Sequence, residues 1–292
     1  MKRPASESGP RGDGYFVSLH HRIRLDENLP PIGPLDEAAA RLIAGATGVL
    51  MPKYCPPGRY REVVRLARRH FPHLAPRYAY RGKAGQIRLF RRLGVPHPHS
   101  VLYPSPAAAA RAAGAGPPPL PFPFVLKGDT GGGGSAVFPI ASNTEYLRHL
   151  DRLPPEEPVL AQEWIDNAGR DLRVVLMGSR VVSYFRVGGD SFYNNVSKGA
   201  RIDHDLLPGL QEEGRNLTRE LGRRTGIDLA AFDVMFPAGG GPPLFVEINF
   251  QFGRRGLGGL RGYERMIREA VQEWMQRAAA SGGSIPRGDD YP

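Results

Sequence analysis

The chain has 292 residues, 41% of them hydrophobic and 23% charged, room for one large domain or two to three small ones of ordinary soluble composition. No apolar run approaches the roughly 20 residues needed to cross a bilayer, the opening MKRPASESGPRGDG lacks the apolar core of a secretory signal, and a lone cysteine, Cys55, excludes an internal disulfide and suits a reducing cytoplasm. A formal net charge of +10 admits nucleic acid, acidic membranes or phosphorylated small molecules as partners, but zinc-finger spacing, a helix-turn-helix pattern and RNA-binding aromatics are all missing from the sequence, so nucleic acid is not the expected partner.

In chain order, residues 1–14 read as a polar tail. YFVSLHHRIRL reads as a strand, LDEAAARLIAGA as a helix with Leu35, Ala39, Leu42 and Ile43 on one face, TGVLMP as a short buried strand and YREVVRLARRHF as a second amphipathic helix. These make a small α/β unit, 15–82. A helix from Lys83 to about Leu93 follows, stopped by Gly94. After the low-complexity AAAARAAGAGPPPLP, FPFVLKGD and AVFPI read as strands flanking TGGGGS, and NTEYLRHLDRL as a helix capped by Asn143 or Thr144. VLAQEWI is a strand. RDLRVVLMGSRVVSYFRV is a hairpin turning at Gly178-Ser179. A helix ending at Gly226, the strands DLAAFDVMF and PLFVEINF, and a last helix, YERMIREAVQEWMQRAAA, complete the pattern. The tail 279–292 is again polar.

The residues with chemical potential fall late in these elements. Gly131, Gly132, Gly133 and Gly134, with Ser135, let a backbone approach a ligand and turn N–H groups toward anionic oxygens. No Walker lysine follows, and the downstream segment reads as a strand, where a dinucleotide-binding unit needs a helix. A glycine loop between strands remains either a hairpin tip or a flap over a polyphosphate, with Lys127 beside it. Glu163, Trp164 and Ile165 end a strand, as a surface edge or as a hinge for an adenine edge. Asp171 and Arg173 share one face of a strand, as an ion pair or as groups for a ribose and a phosphoryl group. Asn195 and Lys198 lie in a polar loop. Asp233 sits inside an apolar strand, a costly place unless paired or metal-bound. Glu247 and Asn249 share a face of the next strand. Three hard oxygen donors on neighbouring strands suit Mg²⁺ held against phosphates. Arg254 and Arg255, in the glycine-rich loop that follows, are either a solvated pair or a clamp for an acidic acceptor.

The order Lys, glycine flap, QEWI, RDLRV, Asn-x-x-basic-Gly, FDVMF, EIN resembles the ATP-grasp superfamily, and most closely its RimK-like and glutathione-synthetase-like carboxylate–amine ligases. The resemblance runs from about Lys83 to Ala278, its most specific parts being VEIN after AFDVMF and LAQEWI before RDLRVV. It implies an α/β fold of two α+β lobes clamping the nucleotide, 83–160 with the flap and 161–278 with the metal site, behind the small N-terminal domain. It implies ATP and Mg²⁺ (or Mn²⁺) as cofactors. Lys83 and Lys127 match the nucleotide lysines, Glu163 and Trp164 the adenine hinge, Asp171 the ribose-side acid, and Arg173 the phosphate arginine. Asn195 matches a loop Asn near the phosphates, with Lys198 where an arginine is frequent. Asp233, Glu247 and Asn249 match the metal ligands. The implied reaction joins a carboxylate to an amine through an acyl phosphate, the substrates being small molecules or peptides. The alternatives are a nucleotide-binding sensor or scaffold without ligase activity and a basic nucleic-acid-binding protein. The sequence leaves the oligomeric state open, a homodimer included. Three departures stand out: Gly82 where an Asp precedes the first lysine, Trp164 where Tyr or Phe is usual, and FQFGRRGLGG after Asn249 in place of small-Ser-Pro-Gly, which leaves the acceptor unspecified.

Overall fold

The computed structural model describes residues 14–131, 134–188 and 199–280. Gly132, Gly133, Asn195 and Lys198, and nearly all of both expected tails, lie outside the described residues. The chain divides into two compact units, one within Met1–Leu74 and Tyr263–Pro292, the other within Ala75–Gly262.

The first unit is built on four short parallel strands, β1 (Phe16–Ser18), β2 (Glu27–Asn28), β3 (Gly48–Leu50) and β4 (His70–Phe71), in the order β2-β1-β3-β4. Parallel neighbours need crossovers, and two of these are α1 (Glu37–Gly45) and α2 (Pro57–Leu66). The side chain of Asp36 caps α1 by accepting from Ala39 N at 2.8 Å. The expected strand YFVSLHHRIRL stops at Ser18: its hydroxyl donates to Ile23 O (2.6 Å), and His20 Nδ1 accepts from Arg22 N and Ile23 N (both 3.1 Å). Local side-chain bonds turn the chain where an alternating pattern reads as strand. The last helix, α8 (Gly259–Ala280), contributes its residues from Tyr263 onward to this unit, and Trp274 packs edge-on against Phe16 and tilted against Phe71. Cys55 is buried here.

The second unit opens with α3 (Ala75–Ala79) and α4 (Gly82–Leu93) and carries two antiparallel sheets. Helix α4 ends at Gly94, whose left-handed φ of 61° closes it as the sequence implies. In the first sheet β5 (Ser100–Tyr103), β8 (Val159–Glu163), β6 (Phe124–Gly128) and β7 (Val137–Ile140) lie in that order. Helices α5 (Pro106–Ala115) and α6 (Asn143–Leu150) join them in a core of Ala109, Phe124, Leu126, Ile140, Tyr146 and Leu150. The cap of α6 is Ser142, one residue ahead of the expected Asn143 or Thr144; its side chain accepts from Glu145 N at 3.2 Å.

The second sheet runs β11 (Arg201–Asp203), β10 (Arg180–Val187), β9 (Arg170–Met177), β12 (Leu229–Met235) and β13 (Leu244–Asn249). The turn at Gly178-Ser179 pairs Met177 with Arg180, and so Arg173 with Tyr184 and Asp171 with Arg186. One face of this sheet is apolar. Leu172, Val174, Phe185, Phe232 and Ile248 pack there with Leu221 of α7 (Pro208–Thr225) and with Ile87 and Phe90 of α4, each burial stabilising by about 1.5–3 kcal/mol. The other face carries the polar residues Asp171, Arg173, Tyr184, Arg186, Asp233, Glu247 and Asn249.

Candidate active site

A cleft of about 750 Å³ in the second unit is lined by residues of both sheets. Strand alternation makes its polar floor. Register pairs Asp233 with Arg173 and with Glu247, which places all three side by side on one face. The ladder breaks between Asp233 and Val234, so Val246 is an extra residue in β13. That bulge reverses the alternation. Phe245 and Ile248, three residues apart, both face the core, while Val246, Glu247 and Asn249 line the cleft.

The floor is a network of charge-assisted bonds. Arg173 Nε and Nη2 donate to Asp233 Oδ1 and Oδ2 at 2.5 and 3.0 Å. Arg186 Nε and Nη2 donate to Asp171 Oδ1 and Oδ2 at 2.6 and 2.7 Å, and Arg186 Nη2 also lies 3.2 Å from Asp233 Oδ1. Asn249 Nδ2 donates to Asp233 Oδ2 at 3.1 Å. Burial pushes the Asp233 carboxyl up, but Arg173 and Arg186 outweigh it and hold it below the ordinary value. Asp171 is hydrogen-bonded by one arginine, Arg186, shared with Asp233, and burial keeps its carboxyl raised. Between the two acids Arg186 stays charged, its pKa raised against the desolvation that opposes it.

Lys127 faces this floor from β6. It is buried, and its Nζ donates to Gln162 Oε1 at 2.5 Å; Gln162 in turn donates to Ser100 Oγ at 3.0 Å. Burial drives the Lys127 ammonium down to about 8, with Lys83 lowering it further and Glu247 and Asp233 pulling it back up. Lys83, Lys127, Asp233 and Glu247 therefore share one electrostatic space. Lys83 Nζ donates to Gly131 O at 3.4 Å. At the end of β8, Glu163 N donates to His99 O (2.8 Å) and Glu163 Oε2 accepts from His99 N (3.2 Å), so backbone and side chain both hold Glu163 to His99. Trp164, 37% exposed, and Ile165 line the cleft just beyond.

The β-citrylglutamate synthase B of Danio rerio is 35% identical over 115 residues, 38% of this chain and 27% of that enzyme. The chain thus matches little more than a quarter of the length of that curated relative. No protein-family model matches. A RimK domain protein of Sphaerobacter thermophilus, solved as an ATP-grasp structure, superposes with a TM-score of 0.56 at 17% identity, over 88% of this chain and 99% of that one. The fold is ATP-grasp. An N5-carboxyaminoimidazole synthase from Aspergillus clavatus, solved with ADP and an aminoimidazole ribonucleotide, superposes with a TM-score of 0.53 at 17% identity, over 75% of this chain and 57% of that one. The chain thus shares its fold with these ATP-grasp structures and, over part of its length, is similar in sequence to β-citrylglutamate synthase B.

Of the site residues expected from the sequence, Lys83, Lys127, Gly131, Gly134, Glu163, Trp164, Ile165, Asp171, Arg173, Asp233, Glu247, Asn249, Arg254 and Arg255 all line the cleft. Ser135 is exposed and outside the lining formed by the described residues. The departure at Gly82 has a structural answer. Its φ is +66°, and a Cβ there would lie 1.9 Å from Asp129 Oδ2. Asp129 fills that space from the strand side: its Oδ1 accepts from Ala84 N at 2.7 Å and its carbonyl from Lys83 N at 3.2 Å. In this chain the carboxylate that accepts from the first turn of α4 comes from the loop after β6.

Among the described residues no three His, Cys, Asp or Glu side chains are grouped closely enough to hold a metal ion. The expected metal donors are two carboxylates and an amide, and both oxygens of Asp233 are engaged by arginine. Such a set fits a cation that takes the rest of its shell from phosphates and water, as Mg²⁺ does, and not a cage built wholly of protein. Sequence reading missed Arg186, Gln162, Asp129 and Gln86. Only the first had a signal in the sequence itself: a two-residue turn at Gly178-Ser179 puts position 186 opposite Asp171.

Proposed function

We propose that this protein is an ATP-dependent carboxylate–amine ligase. The observation that supports it most is that Lys83 and Lys127 meet Asp233 and Glu247 around one cleft that a glycine loop borders. In this reading the end of β8, at Glu163–Ile165, receives the adenine and Trp164 walls it. Lys83 and Lys127 neutralise phosphate oxygens as point charges. Arg173 and Arg186 stand where charge develops on the moving phosphoryl group. Glu247 and Asn249, with Asp233 once its arginines turn to phosphate, would hold Mg²⁺, which supplies charge neutralisation between phosphate oxygens. A substrate carboxylate displaces ADP from the γ-phosphorus, and an amine then displaces phosphate from the acyl phosphate, releasing a proton and leaving an amide. The chain's part is to position and to stabilise charge, and the loop from Gly131 to Ser135 would keep water from the acyl phosphate.

Arg254 and Arg255 close the cleft in the loop after β13. A Cβ at neighbouring Gly256 would lie 2.2 Å from Tyr184 Cζ, so this loop lies directly on the tyrosine ring. We assign the two arginines to an anionic group of the acceptor. The test is ADP and phosphate release with panels of carboxylates and amines. Release that needs both substrates and is lost in Lys127→Met is expected, and Arg254→Ala should raise the acceptor KM while sparing that for ATP. A protein that binds ATP and never turns it over would favour the second reading, a nucleotide-binding sensor. The engagement of Asp233 by Arg173 and Arg186 is the one feature that favours it. The lone buried cysteine suits a cytoplasmic setting for either.

A further inference from the structure

We propose that Gln86 is the positioning residue for the metal-side donors, acting as a one-residue neighbour strand that fixes Ile248 and with it Glu247 and Asn249. The proposal rests on the reading above that these two side chains serve a cation at the nucleotide phosphates.

Strand β13 is the edge of its sheet and is bulged at Val246, immediately before Glu247. An edge strand offers one row of N–H and C=O groups to nothing in its own sheet, and a bulge removes ladder bonds where they would steady it. Two side chains that must keep a fixed spacing hang from that weak place. Ile248, between them, is secured from elsewhere. Gln86 Nε2 donates to Ile248 O at 2.8 Å, and Gln86 Oε1 accepts from Ile248 N at 2.8 Å. The primary amide thus reproduces the donor and acceptor of a paired strand residue. Gln86 is buried, so these bonds form away from competing water. It lies on α4 one turn beyond Lys83, on the inward stripe that continues through Ile87 and Phe90. The same helix therefore presents a phosphate-side lysine and grips the metal-side strand, setting the distance between the two.

The test is Mn²⁺ binding to the ADP complex of the full chain, followed by electron paramagnetic resonance, with ADP affinity in the absence of metal as the control. In Gln86→Met, which keeps the length and loses both bonds, the Mn²⁺ Kd should rise by about tenfold or more. Metal-free ADP affinity should stay within about twofold, since Lys83 and Lys127 are untouched. Gln86→Glu still accepts from Ile248 N and should fall between; it carries the test if the methionine variant does not fold. The Ile248 amide should exchange slowly in the wild type. A Mn²⁺ Kd unchanged in Gln86→Met, an equal loss of metal-free ADP affinity, or a fast-exchanging Ile248 amide would each overturn the proposal. A wild type that binds ADP and no Mn²⁺ would defeat the metal reading itself before Gln86 is altered, and the proposal with it.

Discussion

At the scale of single residues, the cleft is governed by how each charge is accompanied. Lys127 is buried beside another lysine, and its ammonium titrates near 8. Phosphate oxygens favour the protonated form, so nucleotide binding at pH 8 should take up about half a proton. Uptake should vanish below about pH 7, where the lysine is already charged, and in Lys127→Met. Calorimetry in buffers of different ionisation enthalpy measures it directly. For stability the sign is opposite to that of an ion-paired lysine. The unfolded chain holds this proton up to the ordinary lysine value, so the folding cost of the buried charge is present below pH 8 and is relieved as pH climbs from 8 towards 10.5. Arg186 is the other sensitive point. It bridges Asp171 to Asp233, and Arg186→Met leaves Asp171 buried without its hydrogen-bonded cation. We expect a loss of about 3–5 kcal/mol in urea unfolding, whereas Asp171→Asn combined with Arg186→Met should recover a large part of it.

At the scale of elements, the start of helix α4 is held by a residue distant in sequence. The carboxylate that caps it comes from Asp129, and the space beside Gly82 is already filled. Gly82→Asp should therefore destabilise, by crowding two carboxylates and burdening a left-handed φ, and Asp129→Ala should cost about 1 kcal/mol as a lost cap. The double exchange Gly82→Asp with Asp129→Gly should be less damaging than the sum of its parts, a non-additivity that paired melting curves would show. The elements themselves were largely legible. Hydrophobic period gave α4, α7, α8 and the β9–β10 hairpin, and the order of motifs gave the fold. What escaped were contacts made by closure in space. Asp129 and Ala84 are 45 residues apart, and Gln86 and Ile248 are 162 apart; nothing local signals either. Arg186 escaped for another reason: in a chain so rich in arginine, one more in a Val-Tyr-Phe strand does not stand out until the hairpin register pairs it with an acid. The bulge at Val246 was invisible too, since the spacing of Glu247 and Asn249 reads the same with or without it.

At the scale of the whole molecule, the excess of positive charge does not gather on α7, which carries more arginines than any other helix within the second unit. Arg215, Arg219 and Arg223 are each partnered by Glu212 or Glu220. On that helix neighbouring carboxylates offset most of the positive charge. No helix among the described residues is long and apolar enough to cross a membrane. In the first unit, Trp274 packs on Phe16 and Phe71, and a Cβ at Gly48 would lie 2.8 Å from its ring. Trp274→Ala should remove about 3–5 kcal/mol from that unit, read as faster limited proteolysis within Met1–Leu74. The Trp274 contact has a consequence for biosynthesis. The ribosome delivers β1 to β4 before α8, so these strands wait for their aromatic plug until α8 has emerged. The stretch from Ala75 to Gly262 emerges with all of its strand partners already in hand. Strands β1 to β4 are made before the second unit and completed after it.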